Sequence, residues 1–126
     1  MPEEIKALEQ HWSGRARHRV TLEGLVSAWE AFSLDVAAGY RAGVYDYTNE
    51  LSRRDMLAQA IDTSQTVRSQ VAARVEVADA RLQAATVPTE AAIQHLHVDR
   101  VRWWWFRRPL SAGRELVDDL KREGQW

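Results

Sequence analysis

No cysteine occurs among the 126 residues. That absence excludes disulfides, thiolate nucleophiles and metal sites built on sulfur ligands. It suits a reducing compartment, so a cytoplasmic protein is expected. A large excess of either charge is also missing: 17 basic and 18 acidic side chains give a formal net charge of −1. A surface coated with positive charge for duplex DNA is thereby excluded, although a local basic patch is not. Lysine is nearly absent, with only Lys6 and Lys121 among the basic residues. Such an arginine bias, with abundant Ala and Val, fits a GC-rich bacterial genome. No run approaches the roughly 20 apolar residues that span a bilayer, so no membrane partner is expected. The segment MPEEIKALEQ is acidic and amphipathic, where a secretory signal would be basic and then apolar.

Periodicity supplies the fold class. The length suits a single domain, 1–126, with room for a sizeable core. Ile5, Leu8 and Trp12 recur at helical spacing behind Pro2, Glu3 and Glu4, and Gly14 is expected to end this short helix. Leu22, Leu25, Trp29, Phe32, Val36, Tyr40, Val44, Tyr47 and Leu51 then step by three or four. With Thr21 as N-cap, this predicts a helix over about 22–49, roughly 42 Å long at 1.5 Å per residue. Gly39 and Gly43 stand inside it as points where it bends or breaks. Ser52 and Asp55 form a variant capping box, flanked by Leu51 and Met56, so a further helix is expected from Arg53 to Ile61. Ser64 caps a helix over about 65–86, carried by Val67, Val71, Val75, Ala78 and Leu82 and closed by Pro88. Residues 89–109 lose the pattern and read as irregular. Ser111 is expected to cap a last helix with Leu116, Val117 and Leu120 inward, which Gly124 stops. The class is all-α: an antiparallel bundle built on two long helices, with shorter flanking helices and an irregular Trp-rich segment.

Candidate chemistry is sparse. His95, His97 and Asp99 form an H-x-H-x-D string. It resembles the start of the metal motif of metallo-β-lactamase-like hydrolases, and imidazole and carboxylate suit zinc. That resemblance implies a small metal-dependent hydrolase. However, Arg100 stands where the motif places its next histidine, the family's αβ sandwich is much longer, and only His11 and His18 remain elsewhere. No catalytic residue, metal or cofactor is therefore assigned. Gly39 and Gly43 make a G-x-x-x-G, read as a place where a neighbouring helix comes close. Tyr40 and Tyr47 lie on the apolar stripe and belong to the core, whereas Tyr45 and Asp46 lie off it and form a secondary partner-binding surface. The basic RARHR at 15–19 reads as a solvated connector rather than a phosphate grip.

The strongest feature is VRWWWFRRP at 101–109. Each indole carries about 150–250 Å² of surface. Three side by side would overfill the few-hundred-Å² patch that a monomer tolerates. Most of this surface must be covered, yet one direction cannot cover it. On a helix the rings fan over some 200°, and on an extended segment Trp103 and Trp105 point one way while Trp104 and Phe106 point the other. The extended reading gives an outer face of Arg102, Trp104, Phe106 and Arg108, which together with Arg107 is the expected partner-binding site. Tryptophan and arginine dominate interface hot spots. The functional expectation is thus a non-enzymatic module that binds another protein or a second copy of itself, with an immunity- or antitoxin-type neutraliser as its concrete form. Single-stranded nucleic acid, with bases stacked on indoles and arginines on phosphates, is the alternative, and near-neutral charge weighs against it. On this reading Trp104→Ala harms binding more than folding, and Trp105→Ala mainly unfolds the protein.

Overall fold

The computed structural model describes residues 3–16 and 18–126. Pro2 at the expected helix start and Arg17 in the basic connector lie outside them. Five helices follow one another: α1 (Glu3–Ala16), α2 (Leu22–Ala37), α3 (Val44–Thr63), α4 (Gln65–Ala84) and α5 (Arg114–Arg122). The fold is an all-α bundle whose centre is α2, α3 and α4. Successive members run antiparallel. Trp29 and Ser33 on α2 meet Asp79 and Arg81 on α4 in the same order, so α2 and α4 run parallel.

Each central helix buries the stripe that its spacing announces. α2 turns Leu22, Leu25, Val26, Trp29, Phe32 and Val36 inward, and α4 turns Val67, Val71, Val75, Ala78 and Leu82 inward. Phe32, Tyr40 and Tyr47 join them in mutual edge-to-face contacts, with centroids 5.4–5.5 Å apart. Two expected caps are present: the Thr21 hydroxyl accepts from Gly24 N–H, and the Ser64 hydroxyl accepts from Val67 N–H.

Several boundaries differ from expectation. The predicted helix over 22–49 is two helices, because Gly39 adopts φ +97° and turns the chain back. Tyr40 then pairs with the 111–113 segment: its N–H donates to Ser111 C=O, and Gly113 N–H donates to Tyr40 C=O. The G-x-x-x-G therefore makes an interhelical turn rather than a helix contact. The expected boundary at Ser52 does not exist. Ser52 is an exposed residue inside α3, and Asp55 faces the tryptophans instead of a helix start. α1 continues past Gly14 to Ala16, and Gly113 rather than Ser111 is the N-cap of α5. At the far end of α5, Gly124 at φ +68° supplies the left-handed cap, with Gln125 N–H donating back to Leu120 C=O at 2.8 Å.

A short antiparallel ribbon was not anticipated. β1 (Thr86–Pro88) pairs with β2 (Arg107–Pro109), placing Val87 opposite Arg108. It clamps the irregular segment at its two ends, where Thr89 N–H donates to Phe106 C=O and Leu110 N–H to Ala85 C=O. Within that segment are two single turns of 3-10 helix, Ile93–His95 and Trp103–Phe106.

Candidate functional site

The tryptophan segment is neither α-helical nor extended. In a 3-10 turn successive side chains stand about 120° apart, so alternating faces do not arise. Seated between α3 and the ribbon, the turn buries two of its indoles and leaves one half-open. Trp104 and Trp105 are each 4 % exposed. Trp103 stacks edge-on against Trp104 at 5.7 Å and stays half-buried. The expectation that Trp104 lies on an outer face is therefore overturned.

The anchor is Asp55. Its Oδ1 accepts from Trp104 Nε1 at 2.9 Å and from Trp105 Nε1 at 3.0 Å, and its Oδ2 lies 3.4 Å from Arg102. Buried indole N–H groups need acceptors, and one carboxylate on α3 serves both. The neighbouring Arg54 closes a second cluster. Its Nε and Nη2 donate to Asp79 at 3.1 and 2.9 Å, and Asp79 also accepts from Trp29 Nε1 at 2.8 Å. The Arg54 guanidinium lies 4.2 Å from the Trp104 ring centroid. Three helices and the tryptophan turn are thus tied through two adjacent residues of α3.

The remaining sequence-predicted site residues are dispersed. Arg107 turns inward: its Nε donates to the Thr86 hydroxyl at 2.7 Å, and its backbone carbonyl accepts from Tyr47 OH at 2.8 Å. It is a structural residue of the ribbon rather than part of an outer face. Phe106 is half-buried beneath the Arg100 guanidinium at 4.6 Å, and Arg108 covers the Trp126 ring at 4.2 Å. Arg102 is exposed, and its side chain makes no hydrogen bond among the described residues beyond its long contact with Asp55. Tyr45 is 76 % exposed and Asp46 is exposed beside it, on the first turn of α3.

What remains open is a groove. Val101, Arg102, Trp103 and Trp104 form one wall, and Ala58, Ile61 and Asp62 of α3 form the other, enclosing about 510 Å³. Val101 is 75 % exposed at its rim. Gln59 and Thr63 separate this groove from a second hollow of about 430 Å³, where Leu8, Trp12 and Arg15 of α1 face Met56 and Ala60. Of the first wall, sequence reasoning named Arg102 and Trp104 but not Val101 or Trp103, and it missed the α3 wall and the α1 hollow. Partly exposed small residues such as Ala58 carry no signal until a partner element is placed opposite them.

No family model matches the chain, and no curated protein or solved structure matches it. The function must therefore be read from the residues themselves. The histidine string does not assemble into a centre. His95 sits in a turn with φ 57°, its Nε2 is 2.8 Å from Glu123 C=O, and Asp99 Oδ1 accepts from Val101 N–H at 2.9 Å. Among the described residues no group of three or more His, Asp or Glu side chains is placed to hold a metal ion. The bundle is also unlike the αβ sandwich that the resemblance implied. No described helix is long and apolar enough to cross a membrane.

Proposed function

We propose that the protein acts by binding another protein, along the groove between the C-terminal half of α3 and Val101–Trp103. The supporting observation is a contrast within one turn. Trp104 and Trp105 are locked on Asp55, while their neighbours Val101 and Arg102 are exposed and Trp103 is only half-buried. A rigid mount carrying an indole, an aliphatic side chain and an unsaturated guanidinium lowers the ordering cost of association, and those residue types lead interface energetics. A cytoplasmic neutraliser of the immunity or antitoxin kind is the concrete form of this reading. Single-stranded nucleic acid is disfavoured, because only one of the three consecutive indoles offers a free face and Arg107 is turned inward.

The test is site-specific photo-crosslinking in the source cell, with a benzophenone side chain at position 101 and, separately, at position 45. The expected result is one discrete protein adduct from position 101 that disappears when Arg102→Glu and Trp103→Ala are added. Adducts only from position 45, or adducts indifferent to those two substitutions, overturn the reading. A nucleic acid adduct whose yield collapses with added salt favours the alternative.

A further inference from the structure

The groove's inner wall holds a cation that the fold leaves short of a partner. Arg54 is 7 % exposed, and Asp79 takes its Nε and Nη2. Its Nη1 is buried without any acceptor, although an arginine carries five donors. Arg54 and Arg102 line the same groove, and the side-chain donors of Arg102 are almost unused: Asp55 Oδ2 lies 3.4 Å away, on a carboxylate that already accepts two indole N–H groups. One acid alone, the exposed Asp62, stands in the same wall. The opposed dipole ends of α3 and α4 meet at Ser64 and offset each other nearby.

We propose that this groove seats a carboxylate side chain from an acidic segment of the partner protein, held between Arg102 and Nη1 of Arg54. The proposal rests on the protein-binding reading and gives the partner's chemistry. A carboxylate is the planar two-oxygen acceptor that guanidinium forks match. The indole of Trp103, half-buried against Trp104, lines the same groove, and the Trp104 ring lies 4.2 Å from the Arg54 guanidinium. A peptide source fits better than a free small acid, because on the far side of Gln59 and Thr63 the second hollow carries another cation, Arg15. An extended chain with acids several residues apart engages both ends.

The experiment titrates the ¹⁵N-labelled full chain with two capped hexapeptides, one alternating Glu and Leu, the other alternating Gln and Leu. The Glu peptide is expected to shift the Nε1–H signals of Trp103 and Trp104 and the Nε–H signal of Arg54, with the Gln peptide at least about tenfold weaker. Arg102→Gln, which removes an exposed side chain, should weaken the Glu peptide by about tenfold at unchanged melting temperature. Asp62→Asn should tighten the Glu peptide and leave the Gln peptide as it was. Equal affinity for the two peptides, no shift with either, or shifts confined to Trp126 and Arg108 overturn the proposal. Acetate reproducing the Glu-peptide shifts at matched carboxylate concentration overturns the peptide source. Partner adducts at position 101 that survive alongside equal peptide affinities sink this proposal while leaving the protein-binding reading intact.

Discussion

Asp55 shows how one side chain decides whether a tryptophan run is a core or a surface. Its carboxylate satisfies two indole N–H groups that are otherwise shut away from water. Asp55→Ala leaves both donors stranded at about 1–3 kcal/mol each, so a loss of about 2–6 kcal/mol is expected in urea unfolding followed by tryptophan fluorescence. A loss under about 0.5 kcal/mol would mean that the indoles find other acceptors and that Asp55 is no anchor. The ring series follows from the same geometry. Trp104→Ala should cost about 3–5 kcal/mol. Trp103→Ala should stay near 1 kcal/mol or below and act on partner binding instead. That order reverses what alternation along an extended segment suggests. The sequence exposed the crowding of aromatics and arginines at 101–108, because adjacency is enough to show that the rings compete for cover. It hid which ring stays open, because that depends on a 3-10 turn and on an acceptor 49 residues away in the chain.

At the scale of elements, the turn between α2 and α3 explains why the helix pattern misled. Tyr40 and Tyr47 continue the apolar spacing across the break and are buried, so the register alone reads as unbroken. The break is carried by Gly39, whose φ of +97° other residues rarely adopt. Gly39→Ala should therefore cost about 1–3 kcal/mol, read as a lower denaturation midpoint at unchanged helical circular dichroism. An unaffected midpoint would show that the turn relaxes freely. Where the signals were local, they served well: the Thr21 and Ser64 caps, the α4 stripe and the Gly124 stop were all legible. The three-residue ribbon was not, since strands so short carry no alternation and owe their pairing to residues far apart in sequence. The link between the central helices has its own signature. Arg54→Met strands Asp79 and should cost about 3–5 kcal/mol, whereas Arg54→Met with Asp79→Leu should recover much of it. Failure of the double variant to recover would locate the energy in the Trp29 hydrogen bond to Asp79 instead.

Across the whole molecule, stability should respond to pH with two limbs of opposite sign. Arg74 on α4 bonds both Glu23 and Glu30 of α2. These hydrogen bonds, first among the causes, hold both carboxyls below their ordinary value of 4.5. A carboxyl depressed on folding contributes stability above its unfolded value, and this is lost as pH falls through the folded value. Glu23 is exposed and Glu30 is only partly covered, so this limb is shallow and weakens with salt. Glu50 behaves oppositely. Burial, outweighing its pairing with Arg53, raises its carboxyl above 4.5, and its Oε2 has no hydrogen-bond partner. The folded chain then takes up that proton before the unfolded chain does. Its contribution therefore grows as pH falls through the folded value and is complete near 4.5. Calorimetry from about pH 7 to about pH 3 should accordingly separate the two. Glu50→Gln should flatten the limb above pH 4.5 and leave the acid loss in place, whereas Arg74→Met should flatten the acid loss and leave the upper limb. If Arg74→Met leaves the acid limb unchanged, the clasp between α2 and α4 adds nothing to stability, and the register of those parallel helices rests on apolar packing together with the Trp29–Asp79 and Arg81–Ser33 hydrogen bonds.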